Sequence, residues 1–255
     1  MNHHHKIYCV CLVALFVTTI YADRIFYGAA DASAAAPLDD HRFIVADDED
    51  NTLRIYDWNR PDSLPLVEID LTQKLAVTEE NPETDIEGVT RLGNRLVWVT
   101  SHGRSKKGNF RPNRCRLFAT TINPDGKITV DGSYSNLLSD LIAYDKTWNL
   151  GLARAIGTQN SAINMDKVED LAPKKHGLNI EGLAAVADGK TLLIAFRNPR
   201  PVREGKEMAL IIPVANPEDV LLKTAKPILK TPICLFRFIP MHRRTSGPMG
   251  WRPLF

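Results

Sequence analysis

The sequence predicts an all-β fold built from repeated antiparallel meanders and interrupted by a mostly helical or loop insertion. Three observations predict it. Asp31–Leu38, Asp85–Leu92 and Asn179–Val186 superpose without gaps, each beginning with Asp or Asn, then Ser or Glu two residues on, then Ala or Gly. Each segment next meets a turn, at Asp39–His41, Gly93–Asn94 or Ala187–Gly189, whose Asn, Asp and Gly suit the positive φ of tight hairpins. A second strand follows every time, as Arg42–Ala46, Arg95–Thr100 or Thr191–Phe196, short, apolar and rich in β-branched or aromatic residues.

Outer strands complete the units. Thr52–Tyr56 and Leu66–Asp70 alternate apolar with polar residues, as half-buried strands do. Arg116–Ile122 plays that part in the second unit and Met208–Ile212 in the third. About four strands per unit is the composition of a propeller blade, so the expected architecture is a partial β-propeller with three to four recognisable blades. The unit starts lie 54 and 94 residues apart, against roughly 40–50 for common blades. The longer gap holds an unrecognised blade or an insertion. Ser139–Leu178 lacks the hairpin signature and Asn136–Ala143 reads as helical, which favours an insertion at about 139–178. A β-sandwich is the alternative, but its strands are not interchangeable in the way these repeats are.

The chain ends carry a different signal. Met1–Ala22 reads as a signal peptide: a polar, positively charged start, the apolar run Ile7–Ile20, and a small residue at the cleavage point. That run is short of the roughly 20 residues a span needs; an uncleaved anchor is the alternative. The protein is therefore expected to be exported, to the periplasm or the extracellular space, with no stable membrane span once the signal is removed. Residues 23–233 are expected to form the incomplete propeller, and 234–255 a divergent basic tail outside the fold. In an oxidising compartment Cys115 and Cys234 could pair, although two unrelated thiols is the simpler reading. Charged residues at 24% and apolar ones at 44% exclude a disordered chain. Lys+Arg 32 against Asp+Glu 30 gives no bulk-charge argument for a nucleic-acid partner.

Gly28–Ser33, Phe43–Asn51, Asp85–Gly88, Thr100–Arg104, Pro112–Arg114, Leu178–Leu183 and Phe196–Pro199 are collinear with, and resemble, the bacterial family known as domain of unknown function 3616. The resemblance runs from about Gly28 to Pro232. It implies an exported relative of the phytase-like and lactonase-like propellers, and carries no established activity. Members continue past the equivalent of Pro232 into further blades, whereas Cys234–Phe255 is rich in Arg, Pro and Met. That departure predicts truncation or a change of reading frame, and an open sheet edge able to pair with another chain.

In a propeller the innermost strands begin at one rim, and the connections from second to third strands return there. Glu87 and Glu181 start inner strands, with Asp31, Ser33, Asp85 and Asn179 beside them. Loops add Asp47–Asn51, Ser101–Arg104, and Arg197 with Asn198. Convergent carboxylates suit Ca²⁺ or Mg²⁺, so Glu87, Glu181, Asp47 and Asp31 are candidate metal ligands. The resemblance points the same way, because lactonase-like propellers hold a metal at the channel mouth. Arg104, His102, Arg197, Asn198 and Ser33 are candidates for holding a small anionic ligand. The alternatives are structural glutamates that bond backbone N–H groups, a solvated acidic turn at Asp47–Asn51, and a solvated basic loop over His102–Arg116. His41, His102 and His176 are isolated and read as structural or exposed, and Trp58, Trp98 and Trp148 as packing residues.

Other signatures fail. Asp47–Asn51 lacks the central Gly and distal Glu of an EF-hand, Gly189–Thr191 sits in a β-turn rather than a P-loop, and neither Gly-x-Ser-x-Gly nor His-Glu-x-x-His occurs. Phe110 is the one aromatic in the basic loop, which gives nucleic-acid binding little support. Two functions remain: binding of a small anion at the channel mouth, or metal-assisted hydrolysis of a phosphoester or lactone, with Glu87 or Glu181 as ligand or base and Arg104 or Arg197 holding the anion.

Overall fold

A computed structural model describes residues 23–123, 127–160 and 162–235; the leader and residues 236–255 of the tail lie outside them. Each repeat forms one four-stranded antiparallel sheet with its strands in sequence order. The first contains β1 (Ala32–Pro37), β2 (Arg42–Asp47), β3 (Thr52–Asp57) and β4 (Val67–Asp70). The second contains β5 (Ile86–Leu92), β6 (Arg95–Thr100), β7 (Leu117–Ile122) and β8 (Ile128–Tyr134). An insertion follows, with helices α1 (Leu137–Trp148) and α2 (Leu152–Ile156) and a two-residue ladder of β9 (Thr158–Gln159) and β10 (Ala162–Ile163).

The third sheet starts with β11 (Asn179–Ala185) and β12 (Leu192–Asn198). A small ladder, β13 (Val202–Arg203) and β14 (Lys206–Glu207), leads to β15 (Ala209–Val214), and α3 (Pro217–Lys223) leads to β16 (Ile233–Leu235). The pairing of Cys234 with Leu210 corrects the expected tail boundary. Ile233, Cys234 and Leu235 are apolar strand formers beside an available edge, so the sheet continues two residues into the segment expected to lie outside the fold. Cys115 and Cys234 are both free thiols.

β5 packs against both β1 and β11, so the second sheet is the middle layer. Its two faces are both buried, which explains why β6 is continuously apolar rather than alternating. Leu96 and Trp98 face the core shared with the first sheet; Val97 and Val99 face the core shared with the third sheet and the helices. Trp98 is fully buried, stacked on Phe118 with ring centroids 6.2 Å apart, and its Nε1 donates to Thr120 Oγ1 at 2.9 Å. Trp58 differs, being 51% exposed.

The hairpin turns use two devices. Gly93 and Gly189 take φ of +59° and +65°, as their turns require. The first hairpin has no positive φ at 39–41; the Asp39 carboxylate instead accepts the N–H groups of His41 and Arg42 at 2.9 and 2.7 Å. Between α1 and α2, the Asp145 carboxylate accepts the N–H groups of Leu150 and Ala153, locking one helix onto the next.

Removing the Trp98 side chain leaves a large cavity between two sheets. Trp98→Ala should cost about 3–5 kcal/mol in urea unfolding followed by circular dichroism, whereas Trp58→Ala should cost about 1 kcal/mol or less. Equal losses would contradict the middle-layer placement.

Candidate functional site

The three inner strands share one irregularity. Register shifts between Ala32 and Ala34, between Ile86 and Gly88, and between Ile180 and Gly182 leave Ser33, Glu87 and Glu181 as the extra residue of a β-bulge. A bulge re-aims a side chain that regular pleating would send elsewhere. Repeated at equivalent positions, it puts Glu87 and Glu181 on the wall of one cavity of about 480 Å³. Asp31, Asp48, Asp85 and Arg114 line the same cavity, so the starts of the inner strands and the loops after β2 and β6 meet there.

Asp48, Asp85 and Glu87 bring one carboxylate oxygen each to within 4.8 Å of one another, a cluster that could hold a metal ion. Asp85 is buried at φ +57°, and its carboxylate lies 2.9 Å from Arg114 Nη1. Arg114 Nη2 reaches Glu83 Oε1 at 2.6 Å. One guanidinium thus serves two acids.

Burial and like charge both show in the titration of the trio. Burial first, then the charges of Asp85, Glu181 and Asp48, push the Glu87 carboxyl up to about 8. Burial raises Asp85 to about 6 against the pull of Arg114. Burial and the Asp31, Asp47 and Glu49 charges raise Asp48 as well. Among the described residues two buried acceptors here have no hydrogen-bond partner, Asp48 Oδ1 and Asn179 Oδ1, and Asn179 is 5% exposed on the cavity wall.

Several sequence-predicted residues serve elsewhere. Asp47 is not in the trio: Oδ2 accepts the N–H groups of Ala30 and Asp31, Oδ1 accepts that of Glu49, and the next residue, Asp48, supplies the carboxylate. Asp31 and Glu181 line the cavity outside the trio. Glu181 Oε1 accepts from Asn179 Nδ2 at 2.9 Å and from Arg197 Nη1 at 2.7 Å, an arrangement that orients both partners. Ser33 is used between sheets, donating to the Ile86 carbonyl at 2.5 Å. Asn198 Nδ2 donates to the Pro173 carbonyl at 2.8 Å, holding the insertion against the third sheet.

Arg104 is absent from the cavity wall. It is buried, and its guanidinium donates to the carbonyls of Gly108, Ile156, Asn164 and Asp166, which tie the insertion to the β6–β7 loop. Arg114, from the same basic loop, takes the rim position instead, because the turn Pro112–Arg114 folds the loop back toward Asp85. His102 is buried at φ +55° with Nδ1 2.8 Å from the Thr100 carbonyl, a structural position.

Asp48, within the acidic run, and Lys106 and Arg114, within the basic loop, were not singled out from the sequence, and Lys174 and Lys175 were passed over; all five line the cavity wall. The signal for Asp48 was present in the acidic run after β2. The insertion lysines carried none, because nothing in their spacing ties them to the rim. No protein-family model matches the chain, and no curated protein matches it.

Burial depresses His102 to about 4 from an ordinary 6.5. Between those values the unfolded chain takes up a proton that the native chain refuses, so this part of the stability is complete above pH 6.5 and is lost as pH falls toward 4. Asn tolerates the left-handed backbone at this position. In thermal melts across that interval, His102→Asn should lose less stability on acidification than the parent; an unchanged pH slope would contradict neutral burial.

Proposed function

We propose that the chain is an exported, partial β-propeller whose rim cavity binds a small anionic ligand through a hard divalent cation, Ca²⁺ or Mg²⁺, held by Asp48, Asp85 and Glu87. The observation that carries this is the convergence of three carboxylates within 4.8 Å beside Asn179 Oδ1, a buried acceptor with no hydrogen-bond partner among the described residues. Oxygen-only donors of this kind suit hard cations, and a cation would offset the burial and the like charges that raise all three acids. Arg114, Lys106 and Arg197 on the same wall supply positive charge for the ligand. The propeller reading draws on three equivalent sheets, their equivalent bulges and the side-by-side inner strands. Export, and kinship with the domain of unknown function 3616 family, rest on the leader and on the collinear motifs.

A second reading is metal-assisted hydrolysis of a phosphoester or lactone, favoured by the arginine and lysine side chains that line the same cavity as the trio and could hold the anionic substrate. A bound cation would supply polarisation of the scissile bond.

Differential scanning fluorimetry after chelation tests the binding reading. Calcium at about 100 times its Kd should stabilise the protein by roughly 2.7 kcal/mol, and Asp48→Asn with Glu87→Gln should remove that shift. An identical shift in the double variant would overturn the ligand assignment. Turnover of a generic phosphoester that stops on chelation and is lost in Glu87→Gln would favour the enzyme; cation binding without turnover would leave a binding protein.

A further inference from the structure

The insertion carries a second recess beside the first. It has a volume of about 400 Å³, and its wall includes Arg154, Lys174, Lys175, Arg197 and Arg200 against one carboxylate, Glu207. Two of these cations are already matched: Arg197 meets Glu181 at 2.7 Å and Arg200 faces Glu207 at 3.6 Å. Glu169 lies close enough to feel Lys175 but makes its ion pair with Lys167. Among the described residues, no carboxylate makes an ion pair with Arg154, Lys174 or Lys175.

Clustered like charges disfavour the folded state unless something neutralises them. The recess is also mounted firmly. Asn198 Nδ2 bonds the carbonyls of Pro173 and Lys175, and Leu178 N–H donates to the Ala155 carbonyl at 2.9 Å, so the lysine loop is held to both the third sheet and α2. Lys174, Lys175 and Arg197 line both this recess and the acidic cavity, so one basic wall runs from the insertion to the carboxylate trio.

We propose that this recess is a second anion subsite, and that the ligand of the rim cavity is a small molecule with two separated anionic groups, such as a bisphosphate or a phosphorylated carboxylic acid. The subsite itself stands without the cation; the two-ended ligand rests on the proposed function. One anionic group sits against Arg154, Lys174 and Lys175, and the other reaches the cation. Guanidinium and ammonium groups recognise phosphate and carboxylate oxygens by charge-assisted hydrogen bonds. Two linked contacts bind far more tightly than either alone where the spacing fits.

Calorimetry on the full chain separates the two claims. With EDTA present, inorganic phosphate should bind, and Arg154→Glu with Arg200→Glu should abolish that binding; both side chains are exposed and line the recess but not the acidic cavity, so the reversal leaves the core and the trio intact. The same double variant should keep its calcium-dependent thermal shift. With calcium present, fructose 1,6-bisphosphate should bind at least about 10-fold more tightly than fructose 6-phosphate, and the double variant should erase the difference. No phosphate binding in EDTA, or binding unchanged in the double variant, would overturn the subsite whether or not calcium binds. Phosphate binding by the recess without a calcium shift would keep the subsite and remove the cation. Calcium and phosphate binding with no bisphosphate advantage would overturn the two-ended ligand alone.

Discussion

The structure depends on how closely the middle inner strand, β5, approaches its two neighbours. A Cβ at Gly88 would lie 3.1 Å from the Leu183 Cβ and backbone nitrogen and from Val99 Cγ1, leaving little room for a side chain there. Bonds between sheets fix the approach. Ser33 Oγ donates to the Ile86 carbonyl, Ile180 N–H to the Ser101 carbonyl, and Ala185 N–H to Thr90 Oγ1. Asn51 adds a further clamp, its Oδ1 accepting from both the N–H and the hydroxyl of Thr84, just ahead of Asp85. With the inner strands so held, the bulged residues of the second and third strands line one cavity, and the second sheet is buried on both faces.

That convergence opposes stability at the rim. Three acids crowd where burial raises their affinity for protons, and among the described residues Arg114 is the one guanidinium paired with the trio. Sites that bind or react commonly hold such tension, and the surrounding packing must offset it. Here the offset comes from the two hydrophobic cores on either side of the second sheet, and from buried polar groups spent on structure. Asp47 takes three backbone N–H groups, while Arg104 donates to four carbonyls and packs its guanidinium over Phe110 at 5.7 Å. Among the described residues, no helix is long and apolar enough to cross a membrane.

The fold was largely legible because each hairpin carries its own local signal: turn residues, then a short apolar strand. The helical reading of Asn136–Ala143 became α1, one turn longer than its apolar pattern suggests, because Asn149 closes it in the left-handed conformation. β8 was not named in advance; its Asp131, Gly132 and Ser133 dilute the alternation, yet Gly132 is where α3 comes closest, a Cβ there falling 1.9 Å from the Leu221 carbonyl oxygen. Glu87 and Glu181 were legible from the repeat itself. Asp48 was not separable from Asp47, because which of two adjacent acids turns to the rim depends on where the ladder ends. Arg104 and Arg114 are chemically identical in sequence; only the folded loop decides that the first binds carbonyls and the second faces the acids.

The most direct measurement is a crystal structure grown with Mn²⁺ and read by its anomalous scattering. One peak is expected at the rim, with oxygens of Asp48, Asp85 and Glu87 around it and Asn179 Oδ1 turned toward it. A peak bounded by other residues, or the three carboxylates spread apart on sheets that do not share a rim, would contradict it.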